Sequence, residues 1–340
     1  MAQTRRTFLQ SAAMAIGATG VPLAAGRQRP PAASAAPDGQ AGSGAPRPQA
    51  AQGATARQGG QPAKPLTPAS QIQVPKMSFG GQQISRLIVG CNPFYGFSHF
   101  NNTYSQVMRE YYTAERVCEV LHQCARFGIN TYNYVELGRA AEDLARFQAE
   151  GGSMHLIVQG IGDPAPLHAA WKPLAIYHHG GRTDTAYMSG KIETVRDWCK
   201  QVRDLGCLVG VGSHKPEVLA LVEDQGWDVD FYAGCVYNIT RTNDEWRKVL
   251  GGELLEMPSE IYLQSDPPRM YRFMQQTKKP CFAYKILAAG RVGERAMDEA
   301  FRTAFASIKP TDGIFVGMFP RVRDEVRENA ERVCRILKPA

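Results

Sequence analysis

The sequence predicts a single (β/α)8 TIM barrel preceded by a disordered N-terminal segment. Three observations lead there. Apolar strand-like runs alternate with amphipathic stretches of 10–15 residues, which is the mark of βαβ units and a parallel sheet. There are eight such runs, and eight favour a closed barrel over an open sheet. The ordinary globular sequence is also about the size of one barrel domain (~250 residues) once the Ala-, Gly-, Pro- and Gln-rich N-terminus is set aside.

The predicted strands are 84–90, 130–134, 155–160, 174–178, 207–212, 229–233, 281–285 and 313–317. The predicted helices are 114–127, 139–149, 192–205, 216–225, 268–277, 294–308 and 322–337. The link after the third strand is the weakest, with only residues 166–171 to form a helix. No GxGxxG follows a strand, which argues against a Rossmann domain.

Residues 1–27 read as a twin-arginine signal peptide. Thr4-Arg5-Arg6-Thr7-Phe8-Leu9 precedes a weakly apolar run over 11–25 that ends in small residues. That run is too short and too rich in Gly and Ala to span a ~30 Å hydrocarbon core. Residues 28–74 read as a disordered linker, because they bury too little apolar surface to offset ordering entropy. The expected barrel covers 75–340. These readings imply a bacterial protein handed to the twin-arginine translocase, exported to the periplasm or beyond, with no stable membrane span after cleavage.

The net charge of +7 does not indicate a nucleic-acid partner. Residues 1–66 carry seven basic side chains against Asp38 alone, which leaves +1 for the remainder. A near-neutral domain has no electrostatic footprint for phosphates. The eight cysteines include no CxxC pair. Cys207, Cys235 and Cys281 fall in or beside apolar runs, so buried free thiols are expected.

Barrel architecture places chemistry where strands end and βα loops begin. That rule selects His179 after the fourth strand, His214 after the fifth and Lys285 after the seventh. Glu136 follows the second. Each side chain can do acid–base work, and a lysine at a strand end can also form a Schiff base. The neighbouring His178 should face away from His179, since adjacent strand residues point to opposite sides. Glu136, His179 and His214 could also converge on a divalent metal, although nothing in their spacing requires it. Tyr95, His99, Tyr134 and Arg182 are candidate substrate contacts. The long loop over 92–113 is rich in aromatic residues that could stack on sugar rings.

Several segments, taken in order, resemble the aldo-keto reductase superfamily. They are Gly128-Ile129-Asn130, His179-Gly180, Val209-Gly210-Val211-Gly212-Ser213-His214 with Pro216-Glu217, and Val229-Asp230 leading to Tyr237-Asn238. The series continues with Ala283-Tyr284-Lys285-Ile286-Leu287-Ala288-Ala289-Gly290, then Val316-Gly317 with Glu325-Val326-Arg327-Glu328-Asn329. The resemblance runs from about Ile84 to Arg335. It implies an oxidoreductase binding NADP through Ser213, Asn238, Arg321, Glu328 and Asn329, and a sugar-like carbonyl or hydroxyl substrate.

The sequence departs from the family's Asp, Tyr, Lys and His set. Asn133 stands at the Asp position and Gln159 at the Lys position. Leu137 precedes Gly138 where Tyr is expected, and only His179 is kept. Asn133 cannot ionise, and Gln159 cannot lower a phenol's pKa by charge. Two alternatives therefore stand beside the oxidoreductase: a non-redox carbohydrate lyase or isomerase using Glu136, His179, His214 and Lys285, and a binding barrel without catalysis.

Overall fold

The computed structural model describes residues 67–252 and 260–338. The expected signal peptide and most of the expected linker lie outside these residues. The end of that linker is a correction. Ile72 and Val74 are each only 3% exposed and belong to the main hydrophobic cluster, so the residues from Thr67 to Val74 belong with the barrel rather than with the linker. Two apolar side chains seven and five residues short of Phe79 join the core, which composition averaged over the linker hides.

The first two strands form an antiparallel hairpin, β1 (Lys76–Phe79) and β2 (Gln82–Ser85). Gly80 and Gly81 turn between them with φ of 55° and 76°, the left-handed pair that a two-residue hairpin turn requires. The sequence reading had merged β2 with the first barrel strand. Arg86 separates them, and the barrel begins with β3 (Leu87–Gly90).

Seven strands then follow: β4 (Thr131–Tyr134), β5 (His155–Gly160), β6 (Ala175–His178), β7 (Leu208–Ser213), β8 (Phe231–Cys235), β9 (Cys281–Tyr284) and β10 (Gly313–Gly317). All eight pair in parallel, and β10 closes on β3. The expected barrel is therefore the observed fold.

The helices are α1 (Asn102–Tyr111), α2 (Ala114–Arg126), α3 (Ala140–Ala149), α4 (Pro164–Trp171), α5 (Gly180–Met188), α6 (Glu193–Asp204), α7 (Pro216–Asp224), α8 (Asn243–Leu250), α9 (Pro267–Gln276), α10 (Met297–Ser307) and α11 (Glu325–Ile336). The weak third link is α4, started by Asp163, whose side chain accepts from Ala165 N, and by Pro164 at the first turn. None of these helices is long and apolar enough to cross a membrane. All eight cysteines are unpaired, and seven are buried.

Two apolar layers share the work. One lies between barrel and helices and includes Val89, Tyr132, Tyr134, Val158, Ile176 and Val209. The other fills the barrel with Ile88, Ile157, Tyr177, Phe231, Phe282 and Phe315. The hairpin supplies Met77, Phe79 and Ile84 to the inner layer. It does so at the N-terminal end of the barrel, because Gly80 lies against Leu174 and Leu208 at the start of β6 and β7. Phe79 meets Phe231 and Phe282 edge-on, with ring centroids at 5.3 and 5.1 Å. Gly210 makes room for Phe231: a Cβ there would sit 2.4 Å from its ring.

This stopper leaves the opposite end of the barrel as the open one. Phe79→Ala removes a fully packed ring and should lower stability by about 3–5 kcal/mol, measured by urea denaturation with barrel secondary structure kept in the absence of denaturant.

Candidate functional site

A cavity of about 210 Å³ opens at the C-terminal end of the barrel. Its floor is polar and comes from alternate strand positions: Asn133 on β4, Gln159 on β5, Tyr177 on β6 and Tyr284 on β9. Asn133 Nδ2 donates to Ile157 O at 3.2 Å and to the Tyr177 hydroxyl at 3.1 Å. Asn133 and Gln159 thus belong to a neutral, polar floor.

Tyr284 is the pivot of one cluster. Its hydroxyl lies 3.4 Å from His214 Nε2. His214 Nδ1 lies 2.7 Å from Asp184 Oδ2. Asp184 is fully buried at the end of the first turn of α5. It also accepts from Thr240 Oγ1 at 2.9 Å, from the His214 backbone N–H at 3.1 Å and from Ser213 Oγ. Burial raises its pKa, but the hydrogen bonds from His214 and Ser213 outweigh that and hold it below the usual carboxylate range. An ionised acceptor at Nδ1 fixes the tautomer, leaving Nε2 to accept from the phenol. Burial pushes the Tyr284 hydroxyl well above its ordinary value, so the phenol keeps its proton.

A second cluster lines the same cavity. His99 Nδ1 lies 2.7 Å from Glu260 Oε1, and its Nε2 lies 2.9 Å from Asn92 Nδ2. The Asn92 amide can only donate there, so the His99 proton sits on Nδ1 and points at Glu260. Lys285 Nζ lies 3.1 Å from Glu260 Oε2 and 3.3 Å from His99 Nδ1. Burial raises the Glu260 pKa, yet His99 and the Lys285 ammonium overcome this and hold it at about 2. Burial lowers His99.

His99 and Lys285 both hold left-handed backbone, with φ of 54° and 61°. Ala288 and Ala289 do so as well, at 48° and 51°. Left-handed non-glycine residues cost free energy and gather where function demands a particular side-chain direction. Strand alternation alone points Phe282 and Tyr284 inward, and the left-handed turn at Lys285 brings the next side chain to the cavity as well.

The predicted residues divide clearly. Lys285, His99, Glu328 and Asn329 line the cavity. His214 is 7% exposed and acts from behind Tyr284. His179 is half-buried at the start of α5, where its Nδ1 accepts from Arg182 N at 3.3 Å. Burial first, then the charges of His214 and Arg182, lower its pKa to about 4. It stays neutral with its proton on Nε2, beside the cavity rather than in its wall. His178 does face away, packing edge-on against Trp198.

The others sit elsewhere. Tyr134 is fully buried between barrel and helices beside Trp171, with no hydrogen-bond partner for its hydroxyl. Its odd position relative to Asn133 sends it outward. Tyr95 packs half-buried beneath the Arg139 guanidinium. Glu136 is half-buried and does not line the cavity, and burial raises its pKa. Arg182 and Arg321 are exposed. Ser213 is spent on Asp184. Asn238 is buried, with its backbone N–H donating to Asp266.

Lys285 pairs with Glu260. Among the described residues no group of three or more His, Cys, Asp and Glu is arranged to hold a metal ion, and Glu136, His179 and His214 form no such group. Asp184, Tyr284 and Glu260 were not among the candidates. Tyr284 carries a signal, the inward parity it shares with Phe282. Asp184 and Glu260 carry none, because only the folded chain brings them to their histidines.

Neither a protein-family model nor a curated protein matches the chain. Among solved structures it is similar to Gox0644 in its apo form, at 10% identity over 78% of this chain and 89% of that one, with a TM-score of 0.45. It is similar to phospho-2-dehydro-3-deoxyheptonate aldolase from Thermotoga maritima, at 11% identity over 78% and 72%, with a TM-score of 0.46. It is also similar to a xylose isomerase-like TIM barrel protein from Mycobacterium smegmatis in complex with magnesium, at 10% identity over 74% and 96%, with a TM-score of 0.40. Likenesses this distant carry no argument about chemistry, and the barrel rests on its own strand pairing.

The buried histidines set a pH dependence. His178 and His179 both titrate at about 4 in the folded chain, below the unfolded value near 6.5. Unfolded chains therefore take up protons first as pH falls. Stability is full above about pH 6.5 and is lost progressively down to about pH 4. The thermal midpoint should fall steadily across that window, with a shallower fall in His178→Asn. A flat midpoint contradicts the neutral placement of the two rings.

Proposed function

We propose that this barrel is a proton-transfer enzyme, a lyase or isomerase acting on a small sugar-like molecule that carries a carbonyl and hydroxyl groups. The observation that carries the reading is the Tyr284 hydroxyl in the cavity wall, backed by His214 and the buried Asp184. As the phenol oxygen takes a proton from substrate, its own proton passes to His214 Nε2, and Asp184 stabilises the imidazolium that forms. Lys285, held by Glu260, donates an N–H to the substrate oxygen on which negative charge develops. Returning the proton to a neighbouring carbon isomerises the substrate, and expelling a neighbouring hydroxyl as water makes the enzyme a lyase. Asn133, Gln159 and Tyr177 supply neutral hydrogen bonds for the remaining hydroxyls.

Exchange of substrate carbon-bound hydrogen with solvent tests this reading without knowledge of the product. In heavy water, members of a panel of aldoses and ketoses should gain deuterium next to the carbonyl, read by proton NMR. Tyr284→Phe should slow that exchange by about 100-fold or more. Absence of exchange across the panel, or full exchange in Tyr284→Phe, overturns the reading.

A second reading is the nucleotide-dependent oxidoreductase of aldo-keto type. It is favoured by the cavity's extension to Glu325, Glu328 and Asn329, the segment that resembles that family's nucleotide end. A nicotinamide nucleotide there would supply the hydride, and Tyr284 the proton. The residues fit one form better than the other. Two carboxylates line that end, and Arg321 lies outside the cavity, so ribose hydroxyls find acceptors while a 2′-phosphate would meet Arg323 already paired with Glu328. This favours NAD over the expected NADP for that reading. NADH should quench protein fluorescence at concentrations at least about tenfold below NADPH. Saturable binding by neither nucleotide removes this second reading and leaves the first standing.

Export remains part of the proposal, carried by Arg5-Arg6 and the following apolar run. Eight unpaired thiols suit a route that moves proteins already folded in a reducing compartment.

A further inference from the structure

We propose that the cavity is built for a two-ring ligand, a polyhydroxylated ring in the polar floor joined to a second ring with an apolar face that stacks on an aromatic rim. This rests on the reading of the floor as a sugar-like site. The loop after β3 and the first turn of α1 raise Phe97, Phe100 and Tyr104 at the opening, exposed by 41%, 39% and 38%. Three of the eight large exposed apolar side chains among the described residues thus stand within eight consecutive positions, beside the cavity. Phe97, Tyr104 and Phe319 line it directly. Tyr104 meets Phe319 edge-on at 5.6 Å and Phe100 at 6.0 Å, so these three rings form a continuous surface, and Phe97 lines the same cavity.

The rim is held rigid. Asn101 caps α1 by accepting from Tyr104 N at 2.7 Å. Ser98 Oγ and Ser105 Oγ are 2.8 Å apart, and Ser98 Oγ donates to Asn101 O at 3.0 Å. Arg291 donates to His99 O at 2.9 Å, and its guanidinium lies 5.1 Å from the Phe100 ring centre. Exposed aromatic side chains fixed in advance bind a flat partner with little further loss of freedom. The polar groups lie at the other end: Asn133, Gln159, Tyr177, Tyr284 and Lys285. A single small sugar would satisfy this floor and leave the rim in water, whereas a two-ring ligand covers both.

The flat ring has two chemical sources, an aryl group or a second sugar. Saturation-transfer NMR on the full chain with phenyl β-glucopyranoside reads the two halves of the ligand separately. Enhancement on both aryl and sugar protons is expected. Phe97→Ala/Tyr104→Ala should lose the aryl enhancement and weaken binding by about tenfold, while Phe97→Tyr/Tyr104→Phe should keep both. Enhancement confined to sugar protons, in either background, overturns the rim proposal. Enhancement confined to aryl protons upholds the rim and overturns the sugar reading of the floor on which the two-ring ligand rests. No enhancement on either half overturns both. Cellobiose, run in parallel, distinguishes the sources: binding tighter than phenyl glucoside assigns the rim to a sugar face, and weaker binding assigns it to an aryl group.

Discussion

The candidate site depends on one buried carboxylate. Asp184 receives a side-chain bond from Ser213, both backbone and ring bonds from His214, and a hydroxyl bond from Thr240. These partners come from the end of β7 and from the loop after β8, while Asp184 itself stands on α5. Four donors around an ionised group in a dry interior satisfy it fully, and removing any one leaves a costly buried charge. The carboxylate therefore locks three neighbouring elements together, fixes the His214 tautomer and so directs Nε2 at Tyr284. Both the structure of this side of the mouth and its chemistry follow from that one group.

The second cluster solves a different problem. Lys285 has to be held against a cavity at the end of a strand whose alternation already commits Tyr284. The chain adopts a left-handed turn at Lys285 and pairs its ammonium with both oxygens of Glu260. Arg291 then ties the two supporting backbones together by donating to the carbonyls of His99 and Glu260, each at 2.9 Å. Strain in four left-handed non-glycine residues is thus offset by a shared set of charged hydrogen bonds. The arrangement gives the cavity a fixed cation without a net charge, suited to a neutral, polar substrate.

Much of the fold was legible because burial leaves a period in the chain. Runs such as 155–160 and 313–317 coincide with their strands, since residues enclosed on both faces read as continuous apolar stretches. The hairpin was missed because Ile84 and Leu87–Gly90 read as one apolar run, broken only by Ser85 and Arg86 between them. The site was legible where a strand end decides it, as for His214 and Lys285. It was misread where parity matters more than proximity: Tyr134 lies at a strand end but points into the helix layer. Asp184 and Glu260 left no trace, because a carboxylate on a helix or a loop becomes a partner only when the barrel closes.

The account stands on a phenol poised against an imidazole that has its free lone pair at Nε2. Nitrogen-15 NMR of the ring of His214, assigned by comparison with His214→Gln, reads that state directly. The account predicts a proton on Nδ1, bonded to Asp184, and an unprotonated Nε2 at neutral pH, with the Nε2 signal shifting in Tyr284→Phe. A proton found on Nε2 at neutral pH would contradict it, because Tyr284 would then have no base to receive its proton.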